Sequence, residues 1–312
     1  MLRLGILGSG SNGNSAVIVS EQRTVLVDAG LSARQLSRRL ELLGVDPARI
    51  DAVLLTHEHG DHVRGLDVFS KRRRLPVYCN PLTREVLRSS LKEDHEWRLV
   101  ETGSAFVLGD LEIQTFSVAH DATDPMGFVV RCGAGSVGIL SDVGYVTNLM
   151  RLHLQEMEVL FVESNYEECL LHDDPRRPWP TKQRILSRHG HLSNDQAVEL
   201  VGEVASPRLR RVILGHLSRD CNRPEIALGK LRQRLGDLGL EHVMVDCAGQ
   251  SAPVGLFDSG VPAGDAAWEG VRLATCGDGC EAPNDEVAVP GRVGPQTAGG
   301  IPKGMGPDAL IR

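Results

Sequence analysis

The chain has 312 residues, of which 41% are hydrophobic and 24% charged, with a net charge of −7. These are ordinary globular values, with length for one large domain or two small ones. They exclude indiscriminate polyanion binding, and no apolar run approaches the ~18 residues of a membrane span. Aromatics make up only 4%, so the core must rest on Leu, Val, Ile and Ala. The first residues hold one basic side chain, then glycines and serines, which is not a secretory signal. Seven scattered cysteines make a disulfide framework unexpected and favour a reducing cytoplasm.

The opening stretch MLRLGILGSGSNGNS places Gly8, Gly10 and Gly13 as G-x-G-x-x-G, and Asp28 follows where a dinucleotide fold carries its ribose-binding acid. That fold needs a helix to begin at the glycines. Here the loop runs into AVIVS, a β-branched run, and then TVLVDAG, so the spacing predicts a strand meander and excludes the dinucleotide reading.

Apolar or alternating runs at 2–7, 16–19, 24–28, 52–56, 75–79, 105–109, 111–118, 127–132, 136–141, 158–163, 211–215 and 242–246 predict strands. Helical spacing predicts helices within 32–44, 80–91, 194–205 and 224–239. Ser32 caps the first and Gly44 ends it, while Ser193-x-x-Gln196 is a capping box. The patterned body covers 1–258. Residues 259–312 are rich in Gly and Pro without a period, which predicts a flexible C-terminal tail. Its Cys276 and Cys280 form one pair where a structural zinc needs four ligands, so they are read as incidental.

The stretch most dense in chemistry is AVLLTHEHGDHVRGL. His57, His59, Asp61 and His62 follow a buried-type strand within six residues. Four such side chains cannot be buried there without something to satisfy them. In an extended loop His57 and His59 point the same way, and Gly60 lets Asp61 and His62 turn to the other side. Such an arrangement can serve two cations about 3.5–4 Å apart, as in two-metal hydrolases.

This motif resembles the metallo-β-lactamase-fold superfamily, and the resemblance covers essentially all of 1–258. It implies an α/β fold, a four-layer αβ/βα sandwich with the active site at one edge. The further ligand positions match His120 after LEIQTFSV, Asp142 after SVGILS and His216 after RVILG. By that resemblance one metal is held by His57, His59 and His120. The other is held by Asp61, His62 and His216, and Asp142 bridges the two. Asp28 matches an early Asp that supports the metal loop. With no cysteine among the ligands, the two divalent ions can be Zn²⁺ or Mn²⁺, with Fe also admitted.

Fold does not choose the substrate. The stretch EVLFVESNY with RHGHLSND resembles the ribonuclease Z arrangement, in which a strand-end Glu and a His before a helix form a proton-transfer pair. Glu163 and His191 match it, giving catalytic residues Asp61, Glu163 and His191. This chain has His-Leu-Ser where those enzymes have His-Ser-Thr. A Glu163–His191 contact near the metals is the feature expected of a phosphodiesterase. The GSGSNGNS loop, with ESNY, GHLSN and GHLS-x-x-CN, resembles the YycJ (WalJ) subgroup, which implies a DNA-directed exonuclease. Ser9, Ser11, Asn12 and Asn14 are read as possible phosphate-binding residues. Basic residues cluster at Lys71–Arg74 and at Arg176, Arg177, Lys182, Arg184 and Arg188, where they could track a nucleic-acid backbone. The expected partner is therefore nucleic acid, DNA before RNA, with no membrane. The alternative is a small-molecule hydrolase: a thioesterase, lactonase or cyclic-phosphate esterase.

Overall fold

Side chains alternate faces along a strand, so the apolar runs deliver residues to both sides of each sheet. The computed structural model describes residues 1–260 other than Arg72 and Glu93. The first sheet begins with β1 (Leu2–Gly8), β2 (Ser15–Val19), β3 (Thr24–Val27), β4 (Ala52–Leu54), β5 (Pro76–Cys79) and β6 (Glu96–Leu99). The second holds β7 (Ala105–Leu108), β8 (Leu111–Ser117), β9 (Met126–Cys132), β10 (Gly135–Leu140), β11 (Val159–Glu163), β12 (Arg211–Gly215) and β13 (Met244–Cys247). A final strand, β14 (Val254–Ser259), returns to the first sheet and pairs antiparallel with β1. The orders are β14-β1-β2-β3-β4-β5-β6 and β13-β12-β11-β10-β9-β8-β7.

Among the described residues the helices are α1 (Ala33–Leu42), α2 (Gly60–Val63), α3 (Leu66–Lys71), α4 (Pro81–Ser90), α5 (Asn148–Leu154), α6 (Glu168–Asp173), α7 (Trp179–Leu186), α8 (Asn194–Val204) and α9 (Pro224–Asp237). Leu4, Ile6, Val25, Val27 and Leu54 from one sheet meet Ile113, Phe128, Ile139, Phe161 and Ile213 from the other in the central apolar layer. The opposite faces of the same strands carry Leu26 and Val53 onto Leu36 and Leu40 of α1 and Phe69 of α3. On the far side Leu160, Val162, Val212 and Leu214 pack on α5, α8 and α9 through Leu154, Leu200 and Leu231. Each such fully buried side chain contributes about 1.5–3 kcal/mol of transfer free energy. Helices on the outside of two stacked sheets make the four-layer αβ/βα sandwich.

All twelve predicted strands form, as do the four predicted helices. Ser32 accepts the Gln35 N–H, and Ser193 and Gln196 close their capping box. The sequence pattern misses β6, an edge strand with charged Glu96 and Arg98, and β14. It also misses α2, α3, α5, α6 and α7, none longer than 8 residues and so too short to establish a helical period. Strand pairing carries the body to Ser259, one residue past the expected limit of 258. The rest of the expected tail, with Cys276 and Cys280, lies outside the described residues. Among the described residues no helix is long and apolar enough to cross a membrane.

Candidate metal centre and active site

β3 through β6 run parallel, and β2 lies antiparallel to both β3 and β1, so β1 points the same way as β3. In the second sheet β10 through β13 are parallel, and β8 is returned to their direction by β9. The carboxyl ends of β1, β3, β4, β8, β10, β11 and β12 therefore deliver the loops that carry the candidate residues. Three of these, Asp28, Asp142 and His216, have φ of 62°, 49° and 55°, the left-handed region that costs a non-glycine residue about 1–2 kcal/mol. Each lies one or two residues past its strand, where the turn swings its side chain back over the sheet edge.

The His-x-His-x-Asp-His segment does not turn through a special glycine conformation, as the sequence predicts. Gly60 is the first residue of α2, and His59 precedes it in extended geometry. Asp61 and His62 therefore lie on a helical turn while His57 and His59 lie on the extended approach.

His57 is buried and places Nδ1 2.9 Å from Thr56 Oγ1. Its Nε2 faces His59 Nδ1 at 3.1 Å and lies 3.6 Å from Asp142 Oδ2. His120 Nδ1 donates to the Gly190 carbonyl at 3.0 Å, leaving Nε2 3.9 Å from the same Asp142 oxygen. Burial holds both His57 and His120 below the ordinary imidazole range, which keeps the rings neutral. One nitrogen from each lies within 4.8 Å of the other and of His59, with His120 Nε2 also 3.1 Å from Asp121 Oδ1. On the other side His62 Nδ1 donates to Asp28 Oδ2 at 2.7 Å, and its Nε2 lies 2.9 Å from Asp142 Oδ2 and 3.8 Å from Asp61 Oδ2. His216 Nδ1 lies against Asp142 Oδ1 and 3.3 Å from Glu163 Oε1, buried in contacts that lack hydrogen-bond alignment.

Burial opposes charge on His62 and His216. The Asp142 carboxylate, with Asp28 at His62 and Glu163 at His216, nevertheless pulls both imidazoles upward, His216 to about 10. Burial likewise raises the Asp142 carboxyl, but His216 and His62 outweigh it and hold Asp142 well below the carboxylate range. Protons on these two rings occupy the place of positive charge that the buried carboxylates demand. The set divides into His57–His59–His120 and His57–His62–Asp142, with Asp142, Glu163, His191 and His216 forming a third group. Convergent neutral rings, an unaligned buried nitrogen and buried carboxylates fit a dinuclear metal site built from nitrogen and oxygen donors.

Glu163 ends β11 and is fully buried. Its Oε2 accepts the Val143 N–H at 2.7 Å, and its Oε1 meets His191 Nδ1 at 2.6 Å. Although burial raises the acid and lowers the imidazole, their contact reverses both directions, lowering Glu163 and raising His191. The His191 ring lies 5.3 Å from that of His120 and 5.1 Å from that of His216, its side chain only 19% exposed.

Not every expected contributor faces this centre in the expected way. Ser9 and Asn14 are buried and their polar atoms point inward, so these two are not available to a phosphate. Ser9 Oγ accepts the His216 N–H at 2.6 Å, and Asn14 Nδ2 lies 3.2 Å from Asp61 Oδ2 and 3.0 Å from His62 Nε2. Ser11 and Asn12 remain exposed. Arg73 of the first basic cluster and most of the second cluster are engaged within the fold. Arg73 binds the Pro47 and Phe69 carbonyls, Arg176 and Arg177 pair with Asp174 and Asp220, and buried Lys182 donates to the His172 carbonyl. Arg184 is held by Asp121, while exposed Arg188 stacks 4.1 Å over the Tyr145 ring. Sequence reasoning misses Thr56, which donates to Asp28 and touches His57, and Asn165, which donates to the His216 carbonyl at 2.7 Å. A hydroxyl directly before a metal-motif His is the signal for the first; Asn165 lies within the ESNY element, but nothing local ties it to His216.

Two stacked mixed sheets with a His/Asp centre at one edge define a metallo-β-lactamase-fold protein with the features of a metal-dependent hydrolase. Residues 23–217 match the beta-lactamase superfamily domain, and the chain belongs to that superfamily, on its metallo-β-lactamase branch. It is similar to exodeoxyribonuclease YycJ of Bacillus anthracis, 32% identical over 241 residues that cover 76% of this chain and 90% of the relative. Similarity to exodeoxyribonuclease WalJ of Streptococcus pneumoniae strain D39 is 33% over 241 residues, 75% and 89% of the two chains. The crystal structure of YhfI from Bacillus subtilis shares the fold with a TM-score of 0.63 at 15% identity, over 82% of this chain and 100% of that one.

Proposed function

We propose that this chain is a dinuclear metal-dependent phosphodiesterase that degrades DNA from an end. The observation that carries the reading is the 2.6 Å Glu163–His191 contact beside the His/Asp centre. The pair supplies a carboxylate-held imidazole able to protonate an alkoxide leaving group, which cleavage of a phosphodiester needs and cleavage of a thioester does not. The names of the two relatives, both exodeoxyribonucleases, support DNA as the polymer.

In this reading His57, His59 and His120 would hold one cation, Asp61, His62 and His216 would hold the other, and Asp142 would serve both. When bound, Zn²⁺ or Mn²⁺ ions there supply Lewis acidity, bringing the pKa of water toward ~7 and neutralising charge that develops on the phosphate. Asp61 orients the attacking water. His191 gives its Nε2 proton to the leaving sugar oxygen as the P–O bond breaks, and Glu163 fixes the ring through Nδ1. Asp28 and Thr56 hold His57 and His62 in their tautomers. Exposed Ser11 and Asn12 remain candidates for contact with the phosphate chain.

The test is hydrolysis of end-labelled single- and double-stranded DNA and RNA with Zn²⁺ or Mn²⁺, using Asp142→Ala as the blank. Metal-dependent shortening from one end, absent in the blank and weakened by salt through counterion competition, is the expected result. Intact polymers after incubation with protein carrying two metals would transfer the assignment to a small ester.

A further inference from the structure

The glycine loop at residues 8–14 runs into a strand rather than a helix and turns two of its polar side chains, Ser9 and Asn14, inward. Its backbone is tied down from several directions. Ser9 N–H donates to the Gly249 carbonyl at 3.1 Å, and Gln250 accepts from Asn12 N–H at 2.9 Å while donating to the Gly13 carbonyl at 2.7 Å. Buried Arg39 reaches from α1 to the Leu7 and Gln250 carbonyls at 2.7 and 2.9 Å. Gly13, at φ 147°, admits no side chain, because a Cβ there would lie 2.7 Å from the Gly30 carbonyl oxygen.

From this fixed frame two side chains reach out, and both reach the same half of the centre. Ser9 Oγ accepts the backbone N–H of His216 at 2.6 Å, while Asn165 holds the carbonyl of that residue from the other side. His216 is one of the left-handed residues, so these two bonds maintain a conformation that its own backbone disfavours. Asn14 Oδ1 accepts the Gly10 N–H at 2.8 Å, which fixes the orientation of the amide and turns Nδ2 toward Asp61 and His62. The Asn14 backbone N–H also donates to the Asp61 carbonyl at 2.8 Å. The other half is supported from elsewhere, His57 by Thr56 and His120 by the Gly190 carbonyl.

We infer that the glycine loop is a positioning element for one cation only, the one assigned to Asp61, His62 and His216, and that Ser9 and Asn14 set its occupancy independently of the other. The inference rests on the two-cation reading above. Ser9 and Asn14 act through the ligating residues, so they are positioning residues. Loss of such a supporting hydrogen bond typically weakens metal binding 10–100-fold.

The experiment compares full-length wild type, Ser9→Ala and Asn14→Ala after removal of metal and titration with Zn²⁺ alone. Bound metal is read by elemental analysis and by calorimetry, with thermal unfolding in chelator to confirm the fold. Wild type is expected to take up two ions. Each variant is expected to keep one at wild-type affinity and to bind the second 10–100-fold more weakly, with Ser9→Thr restoring it because the hydroxyl remains. Ser11→Ala, on the exposed side of the same loop, is expected to keep both. Two ions at unchanged affinity in folded Ser9→Ala and Asn14→Ala would overturn the inference, as would equal weakening of both ions. A wild type that binds a single ion would overturn the two-cation reading, and the inference with it.

Discussion

Asp28, Asp142 and His216 share a conformation that their chemistry does not ask for. A β-strand directs successive side chains to opposite faces, and neither face of a buried sheet is open to a cation and a substrate. A left-handed residue just past the strand end turns the chain so that a carboxylate or imidazole stands over the edge, and the strain is offset by the bonds the side chain then makes. In the proposed function the Glu163–His191 pair, in contact at 2.6 Å, is set apart for proton delivery while the other residues hold metal. His191→Ala is therefore expected to retain the wild-type metal content and lower turnover by roughly 10²–10⁴-fold, read by elemental analysis beside the rate of DNA hydrolysis. Loss of metal in that variant would place His191 among the ligands.

Titration gives a second test at this scale. His216, raised from 6.5 to about 10, keeps its proton through neutral pH in the metal-free protein, and His62 is raised as well. A cation must displace those protons, so metal uptake should release them, and affinity should rise with pH until His216 titrates near 10. Calorimetry in buffers of different ionisation enthalpy measures the release. For the metal-free fold the sign is the reverse. The raised His216 contributes stability that is full below the unfolded value near 6.5 and is lost as pH rises through about 10.

Between elements, the tightest fit lies where the loop after β3 meets α2. A Cβ on Gly30 would stand 1.6 Å from the Asp61 carbonyl oxygen and 2.7 Å from the Asn14 backbone nitrogen. Gly30→Ala must push α2, and with it Asp61 and His62, out of place. The expected cost is about 1–3 kcal/mol, at the upper end of that range because both obstructing atoms are backbone, together with weaker binding of the ion assigned to Asp61. Denaturant unfolding and metal titration of the variant check it. Elements that a pattern search finds are those whose period is carried by many residues, as in α1 with Leu36 and Leu40 one turn apart and buried. α2 has four residues and no period to detect, although it decides which way Asp61 and His62 face. β14 is half-buried up to Asp258 and buried at Ser259, and becomes a strand because β1 offers an unpaired edge, with Leu2 opposite Ser259 across the whole length of the domain.

For the molecule as a whole, the last element needed to close the first sheet is β14, and every residue assigned to the centre precedes it. A chain ending after Gly260 is thus expected to unfold at the temperature of the full chain and to match its metal content, as a thermal melt with elemental analysis will show. A lower midpoint would mean that residues beyond 260 contribute to the fold. The density of His57, His59, Asp61 and His62 after an apolar run marks a candidate metal motif in the sequence itself, whereas His120, Asp142 and His216 are picked out only by the resemblance to the metallo-β-lactamase fold. Most strands and the longer helices are legible too, because hydrophobic period is a local property, while the four-layer stacking is implied only by the family resemblance. What tertiary structure alone decided was which groups meet. The same polar loop reads as a phosphate cradle or as an ordinary tight loop rich in turn residues, until the pairing of β1 with its neighbours and the burial of Ser9 and Asn14 turn those two side chains inward. The basic runs likewise read as a nucleic-acid track until Asp174, Asp220 and Asp121 arrive to neutralise most of the second one. Hydrogen bonds and ion pairs between residues hundreds of positions apart depend on distances of a few ångströms, and only the packing of the two sheets sets those distances.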